Sequence, residues 1–198
     1  MIKNVIFDIG NVLLDFCWKD HIARFGFQGE KADRIAQAMM LGPIWPKLDL
    51  GLESDEDILE QFVAHTPELE QEIRLVFSDL STIVREYEGS VDWIESLKER
   101  GYHTYYLSNY GERIRREASK ELSFLSHMDG GIMSYTVHLA KPDPAIYQTL
   151  LDRYGLKAEE CVFLDDTVRN VEAAQALGIA GIVVTSQEQA KKELETLL

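Results

Sequence analysis

Cysteine is scarce in this chain of 198 residues, with only Cys17 and Cys161 present. Two isolated thiols build neither a disulfide framework nor a metal site of cysteine spacing. Cys161 sits in an apolar stretch and is expected as a small buried hydrophobe. Positive charge is also short: 20 Lys and Arg stand against 34 Asp and Glu, a formal net charge of −14. Nucleic acids and anionic membranes select basic surfaces, so neither is expected as a partner. An anionic small molecule is not excluded, because a local cation can override the total. No apolar run approaches the ~20 residues that span a bilayer. The first strand begins by residue 4, which leaves no room for a signal peptide before it, and a reduced, cytoplasmic setting is expected. There is no internal repeat and no low-complexity linker. What is present is ordinary for a globular chain, 45% hydrophobic and 27% charged. The length fits one domain, or one domain with an insertion.

The chain is organised around Val5-Ile6-Phe7-Asp8-Ile9-Gly10-Asn11-Val12-Leu13-Leu14. An apolar run ends in one acid, turns through Gly-Asn and becomes apolar again. This pattern predicts a buried parallel strand with a carboxylate at its carboxyl end. Residues 15–88 then show helical patterns and no convincing strand. Ala32, Ile35, Ala36, Met39 and Met40 recur at helical spacing. Ser54 is placed to cap a helix with Ile58, Leu59, Phe62 and Val63 on one face. Pro67 suits the start of another, with Ile73, Val76, Phe77 and Leu80 inward. Residues 42–51, with Trp45 and Lys47, read as a loop between these helices that could face a site.

From residue 89 strands and helices alternate. Ser90 is expected to cap a helix that ends at Gly101. Strands are predicted at 102–107, 131–134, 161–164 and 181–184, with Asp143-Pro144 opening a helix, and Ser186 with Gln189 forming a capping box for the last one. Five strands alternating with helices predict an α/β fold with a doubly wound parallel sheet. Residues 1–14 and 89–198 would form this core, and 15–88 an inserted all-helical cap.

Ligands in open α/β sheets bind beyond the carboxyl ends of the strands. Four strands deliver polar groups there: Asp8, then Ser108-Asn109, then Lys141, then Asp165-Asp166 with Asn170 shortly after. Singly, each has a plainer reading. Ser108 would cap a helix, Lys141 would be a solvated lysine, and Asp165-Asp166 would be turn residues. Together they suit phosphoryl transfer. A carboxylate can attack phosphorus, and three clustered acids call for a divalent cation such as Mg²⁺. Lysine, a hydroxyl and a backbone amide can hold phosphoryl oxygens.

These residues resemble the four motifs of the haloacid dehalogenase superfamily, in the branch with an inserted helical cap. The motifs are Phe7-Asp8-Ile9-Gly10-Asn11-Val12-Leu13, Leu107-Ser108-Asn109, Lys141-Pro142, and Phe163-Leu164-Asp165-Asp166-Thr167 with Asn170. The resemblance covers nearly the whole length. It implies a Rossmann-like core and a Mg²⁺-dependent phosphatase acting on a small phosphorylated metabolite, a sugar phosphate above all, through an aspartyl-phosphate intermediate. It makes Asp8 the nucleophile, and Asp8, the Gly10 carbonyl and Asp166 the Mg²⁺ ligands, with Asp165 touching the metal directly or through water. Ser108, Asn109 and Lys141 would hold the phosphate.

One departure stands out. Most phosphatases of this superfamily carry a second Asp two residues after the nucleophile, as general acid and base. Here that position is Gly10. The gap resembles that of the sugar-phosphate phosphatases with Asp-Leu-Gly-Asn-Val, the alpha-D-glucose-1-phosphate phosphatase-like members. It argues against a mutase. A 2-haloacid dehalogenase is the alternative, but those enzymes use no metal and lack the acid pair that Asp165 and Asp166 supply; a non-catalytic phosphometabolite binder is a third reading. Without an acid at position 10, turnover is expected to favour anomeric, aryl or acyl phosphates, whose leaving groups need least protonation. Asp15 is the nearest acid downstream. A titratable residue of the cap is the other candidate, and the sequence does not say which.

Overall fold

The computed structural model describes residues 1–198. Its centre is a five-stranded parallel sheet, built from β1 (Asn4–Phe7), β4 (His103–Ser108), β5 (Gly130–Met133), β6 (Cys161–Asp165) and β7 (Ala180–Val183). The spatial order is β5-β4-β1-β6-β7, so the chain reverses its winding direction at β1. That reversal places a crevice at the carboxyl end of β1, flanked by β4 and β6. Phe7 is in register with Tyr106 on one side and Leu164 on the other. The Asp8 amide continues the ladder by donating to the Leu164 carbonyl at 2.8 Å.

Both faces of β1 are buried, as its unbroken apolar run requires. Val5 and Phe7 point to one side, where helices α6 (Ser90–Glu99) and α10 (Gln187–Leu194) contribute Trp93, Ile94, Leu97, Ala190 and Leu194. Ile6 points to the other, against Ile146, Tyr147 and Leu150 of α8 (Pro144–Tyr154) and Ala174 of α9 (Val168–Ala176). A short helix, α7 (Glu112–Glu117), follows β4. No helix is long and apolar enough to cross a membrane.

Between β1 and α6 lie five helices: α1 (Trp18–Arg24), α2 (Gly29–Ala38), α3 (Trp45–Leu50), α4 (Asp55–His65) and α5 (Glu70–Phe77). Ser54 does cap α4, its Oγ accepting from the Asp57 amide at 3.1 Å. The insert is not free of strands. β2 (Leu14–Phe16) pairs antiparallel with β3 (Val84–Glu86), with Phe16 opposite Val84. This ribbon closes the insert at its two junctions. Each strand has three residues, and its partner lies some seventy positions away, so neither carries a local periodic signal. The apolar core of the insert is continuous with one face of the sheet: Ile22, Ile35, Phe62 and Phe77 belong to the same buried cluster as Val5 and Phe7.

Two further local expectations are corrected. Residues 42–51 are not simply a loop, since α3 runs through Trp45–Leu50 with Pro46 in its first turn and stops at Gly51, whose φ is +62°. Ser90 does not cap α6. Gly89 holds that position at φ +84°, and Ser90 Oγ donates instead to the Leu13 carbonyl at 2.7 Å. Gln187 Nε2 reaches the Val12 carbonyl at 2.9 Å. Two core helices thus fasten the segment that follows Asp8.

Candidate active site

Asp8 follows the last residue of β1 and is 8% exposed. Its Oδ1 accepts from the Ile9 amide at 2.7 Å and from Ser108 Oγ at 2.7 Å, and lies 2.9 Å from Lys141 Nζ. Oδ2 has no protein partner. One oxygen is therefore clamped by three donors, and the other is left to act in a fixed direction. Ser108 is the last residue of β4. Lys141 arrives from the loop before α8, held by a reciprocal pair: its amide donates to Asn109 Oδ1 at 2.8 Å and its carbonyl accepts from Asn109 Nδ2 at 3.0 Å. The Asn109 side chain is thus committed to the lysine loop, which leaves its backbone amide as the group to offer a ligand.

Asp165 ends β6 and is fully buried. It accepts from Lys141 Nζ at 2.6 Å, from Asn170 Nδ2 at 3.1 Å to each oxygen, and from the Thr167 amide at 2.8 Å. Asp166 is partly exposed and accepts from Asn11 Nδ2 at 2.8 Å. Asn11 adopts a left-handed conformation, φ +56°, which an Asn tolerates better than most residues. Its aim at Asp166 was not assigned from sequence, although the Gly-Asn pair after a strand-end acid was the signal available. Gly10 lies in the same wall with no atom within 4 Å of a built Cβ.

Charge dominates this crevice. Burial pushes the Asp8 carboxyl above its ordinary range, Lys141 pulls it down, and Asp165 pushes it up again. Burial alone would lower the Lys141 ammonium, but Asp8 and Asp165 together hold it above its ordinary value. One lysine is thus shared between two buried carboxylates. Carboxylate oxygens of Asp8, Asp165 and Asp166 all lie within 4.8 Å of one another. An all-oxygen donor set with an excess of negative charge suits a hard divalent cation. Asp8 Oδ2 is the oxygen left without a protein donor, and Asp166, partly exposed, accepts from Asn11 Nδ2 and from Thr167 Oγ1 at 3.2 Å. Asp165 already meets its donors.

These residues, apart from the fully buried Asp165, line a cavity of about 270 Å³. Its far wall comes from the ribbon and from α3: Leu14, Phe16 and Val84, then Trp45 and Asp49. Trp45 does reach the cavity. Lys47 turns away to Gln61 Oε1 at 2.7 Å. Helical geometry explains both, since positions 45 and 49 lie one turn apart on one face and 47 lies opposite. Asp49 was missed in the sequence, because its signal depends on α3 being a helix. Burial and the charge of Asp8 push the Asp49 carboxyl up to about 7, with Lys141 opposing. Asp15 does not line the cavity; it pairs with Arg85 in the ribbon and accepts from Cys17 Sγ at 3.2 Å.

Comparison with known proteins shows the family to which the chain belongs. A family model described as haloacid dehalogenase-like hydrolase matches residues 2–178. The chain is 31% identical over 207 residues to acyl-CoA dehydrogenase family member 10 of Mus musculus, covering 99% of this chain but 19% of that protein. It is 25% identical over 201 residues to the sesquiterpene phosphatase astK of Aspergillus oryzae, covering 99% of this chain and 96% of that one. Among solved structures, a HAD family enzyme from Bacteroides thetaiotaomicron, in complex with magnesium and inorganic phosphate, superposes with a TM-score of 0.72 at 23% identity, over 94% of this chain and 96% of that chain.

Proposed function

The chain belongs to the haloacid dehalogenase-like hydrolases, and from that premise we propose that it is a Mg²⁺-dependent phosphatase of a small phosphorylated metabolite of sugar-phosphate size. The observation that carries the reading is the shared lysine. Lys141 Nζ stands 2.9 Å from Asp8 and 2.6 Å from Asp165, with Asp166 close by. A cation held by Asp8, the Gly10 carbonyl and Asp166, with Asp165 reached through water, would neutralise charge on the phosphoryl group. Asp8 attacks phosphorus and carries the phosphoryl group as a mixed anhydride. Lys141, Ser108 and the Asn109 amide hold its oxygens. Asp165 and Asn170 keep the lysine in place. Residues 15–88 act as the cap over the crevice, and 1–14 with 89–198 as the core. The phosphatase named among the relatives supports this reading, and the Asp165-Asp166 pair speaks against the dehalogenase alternative.

The test is hydrolysis of p-nitrophenyl phosphate with Mg²⁺ and with excess chelator. Turnover is expected only with the metal, and Asp8→Asn and Asp166→Ala are each expected to lose at least ~10³-fold in kcat. Full activity in chelator, or an active Asp8→Asn enzyme, would reject the assignment.

A further inference from the structure

We propose that Asp49, on α3 of the insert, is the general acid and base of the reaction, taking the role for which Gly10 has no side chain. The inference rests on the phosphatase reading. Three acids line the cavity: Asp8, Asp49 and Asp166. Asp8 and Asp166 are engaged by their neighbours. The Asp49 carboxylate accepts no hydrogen bond and forms no ion pair, and neither of its oxygens is sealed in the interior, so it opens on the cavity. It comes from α3 of the insert, whereas the lysine comes from the core, and no hydrogen bond or ion pair joins it to the phosphate-side groups. A leaving oxygen would lie on that side, facing away from the phosphoryl cradle.

Its position is held from the core. Ser134, just after β5, donates from Oγ to the Asp49 carbonyl. His138 Nδ1 sits 2.9 Å from the Leu50 carbonyl. Gly51 backs onto Tyr135 so closely that a Cβ there would lie 2.9 Å from the Tyr135 Cβ. Three core groups therefore grip the last turn of α3, and the side chain beside that grip is fixed relative to Asp8. A carboxyl raised toward neutrality by its surroundings suits an acid that must also act as a base.

The proton balance closes. Asp8 forms its bond to phosphorus as the bond from phosphorus to the leaving oxygen breaks, and that oxygen takes the proton of the Asp49 carboxyl. Water then attacks phosphorus, giving its proton to the Asp49 carboxylate, and the Asp8 carboxylate departs. Alcohol and inorganic phosphate are released with both acids restored. With Asp49 in this role, Gly10 would not confine the enzyme to good leaving groups.

The experiment compares kcat/KM, which reports the first chemical step, for p-nitrophenyl phosphate and for a primary-alkyl phosphate, both with Mg²⁺. Asp49→Asn should lose about 10²–10⁴-fold on the alkyl substrate and less than tenfold on the aryl one, whose phenolate leaves without a proton. Asp49→Glu should recover part of the loss. Gly10→Asp placed in the Asp49→Asn background should do so too, since a Cβ at position 10 meets nothing within 4 Å. Equal losses on both substrates in a variant that melts cooperatively, or no loss on either, would overturn the assignment. Should Asp49→Asn fail to fold, Asp49→Ser carries the same comparison. A native enzyme inactive on both substrates would instead overturn the phosphatase reading, and this proposal with it.

Discussion

Asp49 shows how one residue carries both a cost and a use. Its neutral form is favoured in the folded protein, because burial and Asp8 oppose ionisation more than Lys141 favours it. The sign follows from linkage. A carboxyl raised from 3.8 to about 7 contributes stability that is complete below about pH 4 and lost as pH rises through about 7. Asn resembles the neutral form at every pH. Asp49→Asn should therefore match the native Tm near pH 4 and exceed it at pH 8. Because the carboxylate faces an open cavity, the gain is roughly 1–2 kcal/mol after screening, or ~3–6 °C for a chain of this length. Thermal melts in Mg²⁺-free buffer across that range measure it. A native Tm equal to the variant's at pH 8 would mean that Asp49 ionises at no cost. Asp165 has a different use: its carboxylate accepts from Lys141, Asn170 and the Thr167 amide, and so serves to aim the lysine.

At the scale of the element, α3 is the critical piece. It has six residues, fewer than an isolated helix needs, so its form depends on what it packs against. The two contacts that end it are geometric. Gly51 takes φ +62° and lies against Tyr135. Gly51→Ala meets both a left-handed backbone, ~1–2 kcal/mol for an L-residue, and a clash with Tyr135. It is expected to lower stability by ~2–3 kcal/mol and, by loosening Asp49, to reduce alkyl-phosphate turnover more than aryl-phosphate turnover. Urea unfolding and the same substrate pair check it; an unchanged midpoint would show that the turn relaxes freely. The ribbon of β2 and β3 is likewise marginal alone. It holds because Leu14 and Val84 are buried under the insert.

At the scale of the molecule, the fold gathers acids from strands distant in sequence at one end of β1. A net charge of −14 makes that gathering unfavourable without a cation. Mg²⁺ should therefore raise the Tm. Binding at 100 times Kd is worth about 2.7 kcal/mol, or ~5–10 °C for a domain of this size. Asp166→Ala should abolish that shift, and in chelator it should melt no lower than the native chain, because one of three repelling carboxylates is gone. A Mg²⁺-induced shift that survives in Asp166→Ala would place the cation elsewhere.

The central strand, the parallel sheet and the three strand-end motifs were determined by the sequence, and for a local reason. A strand buried on both faces must be apolar throughout, so a polar residue at its end stands out, and Asp8, Ser108 and Asp165 each end such a run. Caps that act within a few residues, as at Ser54 and Ser186, were legible on the same grounds. What the sequence did not contain was pairing at a distance. The ribbon joins Phe16 to Val84, Ser90 turns from its own helix to the Leu13 carbonyl, and α3 becomes a helix on the groups that follow β5. Asp49 belongs with these. As a residue type it is an acid between two leucines before a glycine, and only the packing of α3 against the groups that follow β5 brings it, half-buried, into the lining of the same cavity as Asp8 and Lys141.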